Sequence, residues 1–179
     1  MKVNETIVQI DERENNPLRL HAREVTKEEF GSKELLSKIE AMRHALSKEH
    51  DGVALAAPQI GLSLRIFVVA PSAYEEDAKH TPLVFINPKI LKKSKKSAVM
   101  HEGCLSVRWI YGKTKRSLQA TVEAYDEHGN KFTFGGSGLI AHIFQHEIDH
   151  LDGILFIDHG FDFEEYTEEE VKRGMNQPR

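Results

Sequence analysis

The chain has 179 residues, 40% hydrophobic and 29% charged, a balance that suits one soluble globular domain with a buried core. Its formal net charge of −4 weighs against a nucleic-acid surface, and no apolar run reaches membrane-spanning length. Its single cysteine, Cys104, excludes an intramolecular disulfide and suits a reducing compartment; with no apolar segment at Met1-Lys2-Val3-Asn4-Glu5, a cytoplasmic location is the expectation.

Leu35, Ile39, Met42 and Leu46 recur at helical spacing, so Ser32 to about Glu49 is expected to be an amphipathic helix with that stripe in the core. His50-Asp51-Gly52 ends it, and an apolar stretch punctuated by Pro58 and Gly61 follows. Leu64 to Ala70 is rich in β-branched residues and reads as a buried strand. Pro71 to Thr81 reads as a polar loop, and Leu83 to Asn87 as a second strand limited by Pro88. Lys92, Lys93, Lys95 and Lys96 have no interleaved aromatic residues and read as a solvated turn. Leu118 to Tyr125 alternates apolar and polar residues like a half-exposed strand; Asp126 to Asn130 is a turn, and Lys131 to Phe134 returns as the hairpin partner. Gly135-Gly136-Ser137-Gly138 reads as a hinge or cap, with Ser137 as the N-cap of a helix running from Leu139 to about Asp152 and stopped by Gly153. Ile154 to Ile157 reads as a short strand, and the charged end from Glu164 as a weak helix or a frayed tail.

The second helix carries His146-Glu147-Ile148-Asp149-His150. Histidines four apart share one helix face about 6 Å apart along the axis, so they can grip one metal ion. Glu147 then reaches a water polarised by that ion, a combination that hydrolyses amides. His142 shares the face, but three such histidines span roughly 12 Å of axis, too far for one tetrahedral ion. His142 is therefore expected to line a pocket or support a ligand. The remaining histidines read as surface or structural residues. A catalytic ion needs a third protein ligand and an open position. Glu168, Glu169 and Glu170 lie downstream in a charged tail, and Phe156 stands where an HExxHxxGxxH pattern would need histidine. The remaining candidate is Cys104, beside Gly103, where the backbone can approach another element closely. The fold class is α+β: antiparallel strands around a central metal-binding helix, with an additional N-terminal amphipathic helix.

Taken together, these segments resemble the peptide deformylases, which remove the N-terminal formyl group from new proteins. Glu102-Gly103-Cys104-Leu105-Ser106 is similar to that family's cysteine motif, and Gln145 to Leu151 to its helix motif. Gly52 to Gln59 is similar to its glycine-rich motif, with Ala54 where the family has a second glycine. The resemblance runs from about Ile7 to Asp158. It implies a catalytic domain over 1–160 and a charged tail over 161–179, part of that domain or frayed. It implies that Cys104, His146 and His150 hold one divalent metal ion, natively Fe²⁺, with Zn²⁺, Ni²⁺ or Co²⁺ as alternatives. Glu147 would serve as general base and then acid while metal-bound water attacks the formyl carbon, and Gln59 and the backbone N–H of Leu105 would stabilise the oxyanion. Gly52, Val53 and Ala54 would bind the substrate backbone as an added strand, and Leu139, His142 and Ile143 would line the pocket for its first side chain. The implied substrate is an N-formylmethionyl peptide or nascent chain, with the ribosome as a candidate partner and neither a specific nucleic acid nor a membrane. Two rivals remain: an HExxH zinc endopeptidase independent of Cys104, and a non-catalytic formyl-peptide-binding module, which would have no use for Glu147.

Overall fold

The stripe of Leu35, Ile39, Met42 and Leu46 lies on one side of α1 (Lys33–Ser47) and is buried. Ser32 caps this helix, its hydroxyl accepting from the Leu35 N–H at 3.1 Å. The structure, a computed structural model, describes residues 5–11, 15–74 and 83–173. Within these, β1 (Ala54–Ala56), β2 (Ile66–Val69), β3 (Val84–Lys93), β6 (Gln119–Tyr125) and β7 (Lys131–Ser137) form a five-stranded sheet in the order β1-β2-β3-β6-β7. A second sheet has the order β4-β5-β8, from β4 (Ser97–Cys104), β5 (Val107–Ser117) and β8 (Phe161–Glu165). All pairings within both sheets are antiparallel. Helix α2 (Leu139–Leu151) packs on the first sheet, and the short α3 (Glu168–Lys172) follows β8. No described helix is long and apolar enough to cross a membrane.

Strand alternation explains why β2 is apolar at every position. Ile66 and Val68 join Leu55, Val84 and Ile86 in the cluster around α1, whereas Phe67 and Val69 join Phe85 and the α2 residues Ala141, Phe144, Ile148 and Leu151. The sheet is thus covered on both faces here, which removes the polar half of the usual period-two pattern. Phe67 and Phe85 stack at 4.5 Å, and Phe144 approaches Phe85 at 5.2 Å. Ala54, Ala56, Ala120 and Ala124 are small enough for the helix to sit close over the strands.

Several elements depart from expectation. Strand β3 runs through Pro88 and does not end there. Asn87 adopts a left-handed φ of 50°, and the register shifts between Ile86 and Lys89, so the missing N–H of Pro88 falls at an irregularity in the ladder. The Asn87 amide instead bonds the N–H and C=O of Val25, both at 2.8 Å. Ser137 is the last residue of β7 and not a cap; α2 starts from Gly138 at φ 55° without a side-chain cap. Ile154 to Ile157 does not form a strand. It leads into a 3₁₀ turn, Phe156–Asp158, whose Phe156 packs with Leu18, Val107 and Leu155. The charged end begins as β8, paired to β5, before α3. Strands β4 and β5 were not expected at all. Residues 75–81 of the expected loop, His80 among them, and the last six residues lie outside the described residues.

Candidate active site

Cys104 pairs with Val107 across the end of the β4–β5 hairpin, leaving Leu105 and Ser106 as its turn. The cysteine is therefore fixed at a strand end and does not ride on a free turn. Helical spacing on α2 presents His146 and His150 to it, with ring centroids 4.9 Å apart. The Cys104 Sγ lies 3.2 Å from His150 Nε2, and ligand atoms of Cys104, His146 and His150 all fall within 4.8 Å of one another. Among the described residues, no other cluster of His, Cys, Asp and Glu has this convergence. A sulfur and two imidazoles suit Zn²⁺, Fe²⁺, Co²⁺ or Ni²⁺.

The orientation of His146 is set by Glu102. This carboxylate is 4% exposed and accepts five hydrogen bonds: from His146 Nδ1 at 2.6 Å, His142 Nε2 at 2.7 Å, Arg116 Nη2 at 2.7 Å and Nε at 3.0 Å, and the Thr114 hydroxyl. Burial alone would raise its pKa, but the bonds from His142, His146 and Arg116 outweigh that and hold it well below the ordinary carboxylate range. An ionised Glu102 can only accept, so His146 donates through Nδ1 and leaves Nε2 for an ion. His142 spends Nε2 on the same carboxylate, which is why it supports the cluster and does not join it. Arg116 also reaches Asp149 at 2.6 Å, tying β5 to α2. Burial lowers the pKa of His146, yet its bonds to Cys104 and Glu102 bring it well above the ordinary value. Burial, then the charge of His146, pushes His150 well below it.

Glu147 is 4% exposed, and its Oε2 is buried without a hydrogen-bond partner. Burial pushes its carboxyl up to about 7. Gln59 lies in the 3₁₀ turn after β1, where its Oε1 accepts from the Ala56 N–H at 2.8 Å. That fixes the amide so its Nε2 points at Ser106 Oγ, 3.2 Å away, and Cys104 Sγ, 3.6 Å away. A cavity of about 320 Å³ opens beside these groups. It brings together Gly52, Val53, Ala54, Gln59, Leu105, Leu139, His142, Ile143, His146 and Glu147; His150 contacts the sulfur but does not line the cavity. Ala54 sits in extended β1, where its methyl group meets no conformational penalty.

Sequence reasoning missed Glu102 as the hub, Arg116 as its bidentate partner, and the cavity wall made by His101, Arg108, Trp109, Ile110 and Tyr111. Reading Ser97–Cys104 as a strand would have put Glu102 and Cys104 on one face.

A family model described as polypeptide deformylase matches residues 5–165. Peptide deformylase 2 of Clostridium acetobutylicum is 45% identical over 120 residues, 67% of this chain and 75% of that protein. The peptide deformylase of Borreliella burgdorferi is 42% identical over 127 residues, 71% of this chain and 70% of that one. Among solved structures, a class I type b peptide deformylase from Acinetobacter baumannii bound to Met-Ala-Ser superposes with a TM-score of 0.77 at 33% identity, covering 89% of this chain and 99% of that one. Peptide deformylase from Thermotoga maritima gives 0.72 at 36% identity, covering 86% and 95%.

Proposed function

Because the chain belongs to the polypeptide deformylase family, we propose that Cys104, His146 and His150 hold its divalent metal ion and that Glu147 moves the proton. The protein is a peptide deformylase, a metal-dependent hydrolase that removes the formyl group from newly made peptides. The observation that carries the assignment of residues is the convergence of three donor atoms within 4.8 Å of one another next to a buried carboxyl oxygen that has no partner.

The bound ion supplies Lewis acidity toward water and the formyl carbonyl. Glu147, buried beside the donor cluster with an oxygen that has no partner, would take a proton from the attacking water and return it to the leaving amine. The Gln59 amide, held by the Ala56 N–H, and the peptide N–H of Leu105 donate to the oxygen on which negative charge develops. Glu102 keeps the His146 ring turned. Strand β1 is an edge of its sheet and borders the cavity through Ala54, which supports entry of the peptide as an added strand along Gly52, Val53 and Ala54. Leu139, His142 and Ile143 form the wall for the first side chain, a methionine.

The native ion is Fe²⁺ on this reading, with Zn²⁺, Ni²⁺ and Co²⁺ able to occupy the same donors. The catalytic domain spans 1–160 with the C-terminal segment paired onto it through β8, and the enzyme works in the cytoplasm on formylmethionyl nascent chains at the ribosome. The test is anaerobic hydrolysis of formyl-Met-Ala-Ser with metal content measured on the same sample. Cys104→Ala should lose both metal and turnover, while Glu147→Ala should lose turnover and keep the metal. A Cys104→Ala protein that retains its metal would favour the endopeptidase reading. Parent-rate turnover by Glu147→Ala would remove Glu147 as the base.

A further inference from the structure

We propose that Trp109 is a specificity residue of this enzyme: its indole is the surface against which the part of the substrate beyond the formylated residue rests. The proposal builds on the deformylase reading of the cavity and adds to it a site for the following residues.

Trp109 has a φ of 66°, in the left-handed region. The other described non-glycine residues with positive φ are Asn87 and Asp162, whose short polar side chains tolerate it. For a bulky residue that conformation costs free energy and persists only where its surroundings over-determine it. Both sides of Trp109 do so. Its carbonyl accepts from the Tyr166 N–H at 2.8 Å, and the next two residues, Ile110 and Tyr111, pair with Glu165 and Glu164 of β8. The Tyr111 ring lies against Gly103, where an added Cβ would come within 2.7 Å of it, and Tyr166 packs edge-on to Tyr111 at 5.7 Å. On the other side the Arg108 guanidinium lies 5.5 Å from the indole centre and bonds Glu49 at 2.8 Å.

Core packing does not account for this conformation. Trp109 belongs to none of the three apolar clusters of the fold, yet it lines the cavity that holds His146 and Glu147. A large rigid ring fixed at the wall of a catalytic cavity offers contact area at little entropic cost. Beside Arg108, the ring suits an apolar or aromatic side chain carried two residues after the formylated one. The C-terminal strand acts as the clamp, since β8 and Tyr166 hold the carbonyl that fixes the ring's direction.

Trp109 is the chain's only tryptophan, so fluorescence excited beyond the absorption of the tyrosines reports on this surface. Metal-loaded enzyme titrated with Met-Ala-Phe should show a saturating emission change at the Kd measured by calorimetry. In Trp109→Gly, the ratio of kcat/KM for formyl-Met-Ala-Phe to that for formyl-Met-Ala should fall about 10-fold through KM, the scale of one lost aromatic contact. Trp109→Phe should restore most of it. Glycine adopts the left-handed backbone without strain, so the Trp109→Gly thermal midpoint should equal or exceed the parent's. Hydrolysis and calorimetric binding with a silent indole, or an unchanged ratio in Trp109→Gly, would overturn this proposal alone. Absence of both hydrolysis and binding would overturn it together with the reading it rests on.

Discussion

Replacing Glu147 by glutamine should stabilise the metal-free protein, by an amount that grows between pH 4.5 and about 7 and then levels off. The carboxyl is buried, one oxygen lacks a partner, and its pKa is displaced from 4.5 to about 7. A folded-state value above the unfolded one favours the protonated form. Below pH 4.5 the group is protonated in both states and costs nothing relative to glutamine. As pH rises from 4.5 to about 7 the unfolded chain ionises and the folded chain does not, so the parent alone loses about 3 kcal/mol, a loss that stays constant above 7 where both states are ionised. For a chain of this length that corresponds to roughly 6–12 °C in Tm. The assay is thermal unfolding of parent and Glu147→Gln in chelator, from about pH 5 to about pH 9. The difference between the two curves reads this carboxyl together with its charge coupling to His146. A gap that does not widen with pH, or a variant less stable at the alkaline end, would refute the account of Glu147 as a desolvated and unpartnered base.

Arg116→Met should cost about 3–5 kcal/mol in urea unfolding, because Glu102 stays buried without its bidentate partner; a loss under about 1 kcal/mol would show that the imidazoles and Thr114 hold it unaided. Glu102→Gln leaves one acceptor oxygen where two imidazoles and an arginine now bond, so zinc affinity by chelator competition should drop about 10–100-fold. Unchanged affinity would mean that His146 is not oriented by this carboxylate. Phe144→Ala removes the ring that meets Phe67, Phe85 and Phe134 and should cost about 3–5 kcal/mol by denaturant unfolding; a much smaller loss would mean that α2 is not clamped to the sheet through this residue.

Elements with one wet face were legible in the sequence. The α1 stripe and the alternation of β6 follow directly from which side meets water, and β2 was legible as a short unbroken apolar run. Strands β4 and β5 were hidden because their inward face is polar: Glu102, Thr114 and Arg116 are buried together, so no apolar alternation announces a strand. The pattern rule assumes that whatever is buried is apolar, and an ion-paired interior defeats it. Strand β8 did carry a signal, in Phe161-Asp162-Phe163, which the surrounding acidic residues obscured. Pro88 was misread because a proline excludes a strand only where the ladder is regular. At the site, His146 and His150 were legible through the HExxH pattern they share with Glu147, and Cys104 through its short motif. The hairpin that carries Cys104 to them depends on β4–β5 register, which one residue's neighbours in sequence do not encode.

The difference between His142 and His146 shows how the buried network sorts equivalent residues. Both lie on one face of α2, four residues apart, and both bond Glu102. Spacing alone cannot say which of them belongs to the ion. They differ in the nitrogen they spend: His142 uses the far one, Nε2, and His146 the near one, Nδ1. A ring bonded through Nδ1 keeps Nε2 directed outward toward Cys104, while a ring bonded through Nε2 has consumed the atom that reaches furthest. The two imidazoles and Arg116 together keep Glu102 ionised, Thr114 helps to fix it, and Arg116 in turn leans on Asp149, one residue before His150. The contacts that tie the second sheet to α2 are therefore the same ones that select which imidazole is free. Folding of the polar hairpin and assembly of the candidate metal centre are in this respect one event.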